Sequence, residues 1–268
     1  MLRKLFATPL AGAAIALFAG ACAAHDLAFR PRFDLLILFG AYVLAVVALE
    51  MRIAHASPAG AFPWVNAGLV GLGLFTGGIV AFALGWPGFW IVLALALLAL
   101  AFVAGPRLAD TSLAGPVTIV ALGPLVSAGA ALAVAGHIAP VALAIGLPVG
   151  LLADAVRRAA RTGARAAHGS QSAHAQPHDT PPASPWFATD LLAAFGTVPV
   201  LVGLGLLPWP ALACWLALPL AYAEPARART GVYDWAEAAT RVRRLHVLFG
   251  VLLAVSVLIA RVISTRTV

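Results

Sequence analysis

The chain has 268 residues, 62% of them hydrophobic and only 10% charged, with a formal net charge of +7 and a mean hydropathy of +0.98. A water-soluble domain carries about 25% charged residues, so a soluble core of this size is excluded and the bilayer must serve as solvent. The positive charge does not point to nucleic acid, because the basic residues collect at the ends of apolar runs, where membrane proteins carry them.

A spanning helix needs roughly 20 apolar residues, and the apolar runs leave room for seven to nine spans, nine when each run counts as one. Arg3 and Lys4 precede the first, which reaches residue 24 and ends near Cys22. It reads as a spanning helix with its amino terminus in the cytoplasm rather than as a cleaved signal peptide. A polar turn with Arg30 and Arg32 leads to a second span at 35–49, whose helix continues through Glu50 towards Ile53. The third span covers 61–85 and the fourth 89–104, with Trp86-Pro87-Gly88 turning between them at the depth of the interfacial aromatic belt. The fifth covers 113–136, with Gly115-Pro116 and Gly123-Pro124 inside it, and the sixth covers 141–156. Residues 157–185 form the only long polar segment, read as a cytoplasmic mobile loop because its second half is rich in Ser, His and Pro. Spans seven and eight lie at 191–207 and 211–223. A basic stretch at 224–244 follows, with a surface helix over 234–244, and the ninth span covers 245–260. In this arrangement 13 of the 17 basic residues fall on the cytoplasmic side, as the positive-inside rule requires. The whole chain, 1–268, is then one transmembrane domain, with a bacterial inner membrane as the expected location.

The most informative stretch is 147–168, where an apolar run ends in Asp154 and is followed by Arg157, Arg158, Arg161 and Arg165. On a continuing helix, positions 157, 161 and 165 share a face and 154 lies a turn below. Guanidinium groups grip phosphate oxygens bidentately, so these four arginines are the candidate diphosphate-binding residues. Glu50 and Asp154 are the candidate Mg²⁺ ligands, since Mg²⁺ binds through one or two carboxylates plus phosphate oxygens. The plainer alternative is that the arginines anchor a helix end to anionic headgroups and that Asp154 pairs with Arg157 or Arg158 at i+3 or i+4. Glu50 has a similar alternative as a partner for Arg52, and His246 reads as an interfacial marker at the start of the ninth span. The loop histidines 168, 174 and 178 fit no metal spacing, and Cys22 and Cys214 form no disulfide or metal pattern. The glycines of the third span (68, 71, 73, 77 and 78) are explained by close helix packing.

Several segments, in order, give a resemblance. Thr8-Pro9-Leu10, Gly105-Pro106-Arg107-Leu108, Leu122-Gly123-Pro124-Leu125, Ala135-Gly136-His137-Ile138, 146–152, 206–210 and 244–253 are similar to successive parts of the UbiA superfamily of intramembrane prenyltransferases. The branch they resemble prenylates dihydroxynaphthoate. The resemblance covers nearly the whole chain and implies an all-α, nine-helix membrane bundle. It also implies transfer of an isoprenyl group from an isoprenyl diphosphate to an aromatic or quinone-type acceptor, with Mg²⁺ as cofactor. The family holds Mg²⁺ on two aspartate-rich motifs after spans two and six. Here Met51-Arg52-Ile53-Ala54-His55-Ala56 follows span two without an aspartate. Arg161, Ala164 and His168 stand where an asparagine and two aspartates are expected. Both metal platforms are absent as such, and a leaving diphosphate needs cations to stabilise it. Two functions follow: a divergent prenyltransferase, or a non-catalytic relative that binds an isoprenoid, a lipid or a membrane partner. A small-solute transporter is the weaker third, for want of an internal repeat.

Overall fold

The computed structural model describes residues 2–24, 32–54, 63–104, 113–169, 185–228 and 234–266. Among them there is no strand. The helices are α1 (Leu2–Ala24), α2 (Phe33–Ala54), α3 (Pro63–Ala104), α4 (Ala114–Val120), α5 (Val126–Ala135), α6 (Pro140–Gly169), α7 (Pro185–Gly203), α8 (Leu218–Ala228) and α9 (Trp235–Arg266). A π turn, Ala121–Leu125, joins α4 to α5, and a 3-10 helix, Trp209–Ala217, precedes α8. Five stretches of the described residues are long and apolar enough to cross a membrane: Val65–Leu98, Ala114–Ala135, Pro140–Gly163, Trp186–Gly203 and Glu237–Ile263. The described residues are therefore all-helical apart from turns, with five stretches that could cross a membrane, in keeping with the composition.

α3 is not one rod. Gly85 adopts φ 65° and ψ −152°, a region open only to glycine. A Cβ on Gly77 would lie 3.2 Å from Cγ1 of Val92. On a straight helix residues so spaced would stand about 22 Å apart. The two halves of α3 thus fold back on each other at Gly85, next to the turn expected at Trp86-Pro87-Gly88. Pro87 then sits in the first turn of the second half, where its missing N–H is no loss. Trp86, Phe89 and Trp90 cluster at this bend, with ring centroids 5.3 to 5.7 Å apart. The Tyr42 hydroxyl donates to the Val92 carbonyl at 2.6 Å and ties α2 to the hairpin.

The centre of the bundle lies elsewhere. Only 22% of the α3 span is buried, against 67% for the spans of α4–α5 and α6. α1 packs against α5, α6 and α9, and α6 also packs against α7, α9 and the π turn. Lipid is as apolar as a side chain, so helices in a membrane associate through close van der Waals contact, which small residues permit. A Cβ on Gly146 would fall 2.7 Å from the Gly123 carbonyl carbon, and one on Gly123 would fall 2.9 Å from the Gly150 Cα. Gly146 and Gly150, four apart, present bare backbone to the π turn. Pro124 cannot donate a backbone hydrogen bond, and the wider π turn falls at that position. At a second crossing, Gly20 of α1 approaches Ser127, whose hydroxyl donates to the Ala16 carbonyl at 3.1 Å.

Four sequence expectations change. The polar segment beginning at 157 opens as helix, because α6 runs on to Gly169; residues 170–184 lie outside the described residues. The seventh helix starts at Pro185, six residues early, and so takes Asp190 into it. The surface helix expected at 234–244 and the ninth span are one continuous helix, α9, and Glu224, expected to open a polar stretch, is buried within α8. Capping explains the last two: no proline or left-handed residue interrupts 235–266, where Gly250 keeps a helical backbone, and α8 carries on until Arg227 lies in its final turn.

The glycine contacts generate a paired prediction. Gly146→Val drives a side chain into the backbone of the π turn and should destabilise the protein by about 3 kcal/mol or more. Gly78, with nothing within 4 Å of a Cβ, should accept valine with a change under about 1 kcal/mol. Thermal unfolding of the detergent-solubilised variants measures both.

Candidate functional site

The later part of α6 and the ends of α7, α8 and α9 come together at one end of the bundle. α6 leaves the core there, α7 enters it, α8 leaves and α9 enters. Phe187 of α7 and Trp235 of α9 hold two of these ends together, edge to face, with centroids 5.5 Å apart.

Asp154 lies on the buried face of α6, between Leu152 and Val156, and its side chain is 0% exposed. An isolated carboxylate there would be costly, and two arginines of the next turn relieve it. Arg157 Nε donates to Oδ1 at 2.6 Å and Arg158 Nε to Oδ2 at 2.7 Å. Arg158 Nε also donates to Asp190 Oδ2 of α7 at 2.7 Å, so one guanidinium N–H is shared by carboxylates from two helices. Gly115 of α4 closes over this group. A Cβ there would lie 3.1 Å from Asp154 Oδ2 and would collide with Arg158 Nη2, so glycine is what leaves room for the guanidinium.

A second group stands on α8 and α9. Glu224, 3% exposed, accepts from Arg227 Nη1 at 2.8 Å, from Arg241 Nε at 2.9 Å and from Arg241 Nη2 at 3.3 Å. Arg241 Nη1 lies 2.9 Å from Glu237 Oε1. The bidentate fork of Arg241 fixes the angle between the end of α8 and the start of α9. The two groups together hold four carboxylates and four arginines, so each is close to electrically neutral.

Of the expected diphosphate-binding residues, the structure brings Arg157 and Arg158 together on Asp154. Arg161 follows, half-buried, one turn along α6. Arg165 and His168 lie on the same helix, but their side chains are outside the described residues. Glu50 and Arg52 belong to α2, again with side chains outside the described residues, as are His55, Arg107 and Asp110 altogether. The pairing of Asp154 with its neighbours holds with both arginines at once. The fit to Mg²⁺ is poor: each Asp154 oxygen already accepts a guanidinium N–H. Among the described residues no three His, Cys, Asp or Glu side chains gather as metal ligands.

Two findings go beyond the sequence reading. Asp190, Arg227 and Arg241 are not marked by the sequence as site residues, although Asp190 stands at the edge of an apolar run, where a charge is often functional or paired. His246, expected at the interface, is 1% exposed on the inward face of α9, and its Nε2 has no hydrogen-bond partner among the described residues. His246 shares that face with Val242, Phe249 and Leu253, so the register of α9 turns it away from the headgroups.

In comparisons with known proteins, no family model and no curated sequence matches the chain.

Removing one partner of a buried ion pair strands the other. Asp154→Ala should therefore cost about 3–5 kcal/mol. Glu237→Gln, at a side chain 65% exposed, should cost less than about 1 kcal/mol. Thermal or denaturant unfolding in detergent separates the two.

Proposed function

We propose that the protein is a UbiA-like integral membrane protein that binds an isoprenyl diphosphate, or a lipid with the same head group, at the arginine-rich end of α6, without metal-assisted ionisation of its ligand. Support for the architecture comes from the order of the similar segments and from the helices themselves. Besides the five long apolar stretches, one of which doubles back at Gly85, there are the shorter apolar helices Ala13–Ala24 and Phe33–Ala48 and the 3-10/α8 pair. Nine spans is the division of the chain that this reading adopts. The excess of basic residues on the side of Arg157 and Arg158 supports a cytoplasmic amino terminus and a bacterial inner membrane.

One observation carries the choice between binding and catalysis: the carboxylate nearest the arginines is spent on them. Asp154 neutralises Arg157 and Arg158 instead of facing a metal. A set of arginines holds diphosphate in the ground state as firmly as during ionisation, and uniform binding does not speed the chemical step. Arg157 and Arg158 remain 19% and 21% exposed, enough for a phosphate oxygen to reach them. Prenyl transfer to an aromatic or quinone-type acceptor is the second reading, favoured by the sequence segments that resemble the prenyltransferase family.

Labelled geranylgeranyl diphosphate, added with Mg²⁺ to the full chain in nanodiscs, distinguishes the two. The proposal expects saturable binding without release of diphosphate, weakened about tenfold or more by Arg157→Gln with Arg158→Gln. Prenylated product with a naphthoate or phenolic acceptor, lost in Asp154→Asn, would establish transfer instead. Absence of saturable binding would overturn both.

A further inference from the structure

Arg158 carries more acceptors than its place requires. Its Nε has one N–H, yet two carboxylate oxygens lie 2.7 Å away, one from Asp154 and one from Asp190. Asp154 belongs to the same helix at i−4, is fully buried and holds Arg157 as well. Asp190 comes from α7, is 9% exposed at its side chain and, among the described residues, makes this one ion pair. Both oxygens sit on the same nitrogen, so the two carboxyl groups are close neighbours. Like charges this close in a poorly solvated place repel, so the Asp190 contact is the weaker claim on Arg158.

We infer that Asp190 is an internal rival of the bound diphosphate: it occupies the Arg158 donor that a phosphate oxygen takes, and so sets the affinity of this end for anionic head groups. This rests on the binding reading above. With two carboxylates against two guanidiniums the group is neutral and offers an arriving anion little net attraction. A phosphate oxygen that displaces Asp190 gains a charge-assisted bond to Arg158 and loses a neighbouring negative charge. Asp154 stays in place, since moving it would strand Arg157 and Arg158 together. The exchange also unfastens the tie between α6 and α7, so ligand binding loosens the first turns of α7. Gly115 of α4 bears on the same guanidinium and leaves it room beside Asp154.

The experiment uses the full chain in phosphatidylcholine nanodiscs, free of anionic lipid, with geranylgeranyl diphosphate and inorganic diphosphate as probes. Asp190→Asn keeps the shape and removes the charge, and should tighten both probes about tenfold. Asp190→Glu keeps the charge and should stay within about twofold of the parent. In the parent, adding either probe should raise amide hydrogen exchange over 185–195, a readout that does not require the variant to fold. Equal or weaker binding by Asp190→Asn, whether or not its thermal midpoint falls, would overturn the inference, as would unchanged or slower exchange in the parent. If the parent binds and Arg158→Gln abolishes binding while Asp190→Asn is no tighter, the binding reading stands and the rivalry alone fails. If the parent binds neither probe, both fail.

Discussion

A carboxylate in an apolar setting must either lose its charge or find a cation, and at one end of this bundle Asp154 finds two. That requirement organises the helices around it. Arg157 and Arg158 lie on the turn of α6 that follows, and the helix continues past the apolar run to present them. Asp190 draws the start of α7 to the same point, and Gly115 lets α4 come close enough to cover it. Glu224 plays the corresponding part for α8 and α9 through the fork of Arg241. Ion pairs of this kind bring little net stability over an apolar pair of the same shape, but they are costly to break, so they specify which helix ends meet.

Further from that end, specification passes from charge to shape. In lipid the apolar faces of helices do not discriminate between a neighbour and an acyl chain. Contact is therefore settled where side chains are missing, at Gly123, Gly146 and Gly150, and at Gly20 against Ser127. The α3 hairpin lacks most such contacts. It rests chiefly on α2, partly through the Tyr42 hydroxyl, and leaves Phe75 and Phe82 exposed. A dense centre of α1 and α4 to α9 with a peripheral hairpin is the result.

The functional reading follows from the same balance of charge. Arginines next to a buried acid can serve an anionic ligand only by exchanging partners, so what matters at this end is how firmly each carboxylate holds its guanidinium. Asp154 holds two from the same helix and Asp190 shares one from another, which makes them unequal. A diphosphate-bearing lipid approaching from the headgroup layer would meet arginines that are partly exposed and already oriented.

Membrane residence was legible in the composition, and so were most helix positions, because apolar runs of spanning length separated by Gly, Pro and charge have one physical meaning in a bilayer. The turn near Trp86 and the pairing of Asp154 with the arginines at i+3 and i+4 could also be read, since both are local. Asp190 and Arg241 could not be assigned, because their partners lie 32 and 17 residues away, on other helices. Nor could the burial of His246, which depends on the rotational setting of α9, fixed by packing such as that of Gly250 against Ile15 and Phe249 against Phe195. Local spacing determines which groups share a helix face. Only the packing of one helix on another decides which face turns inward and whose charge answers whose.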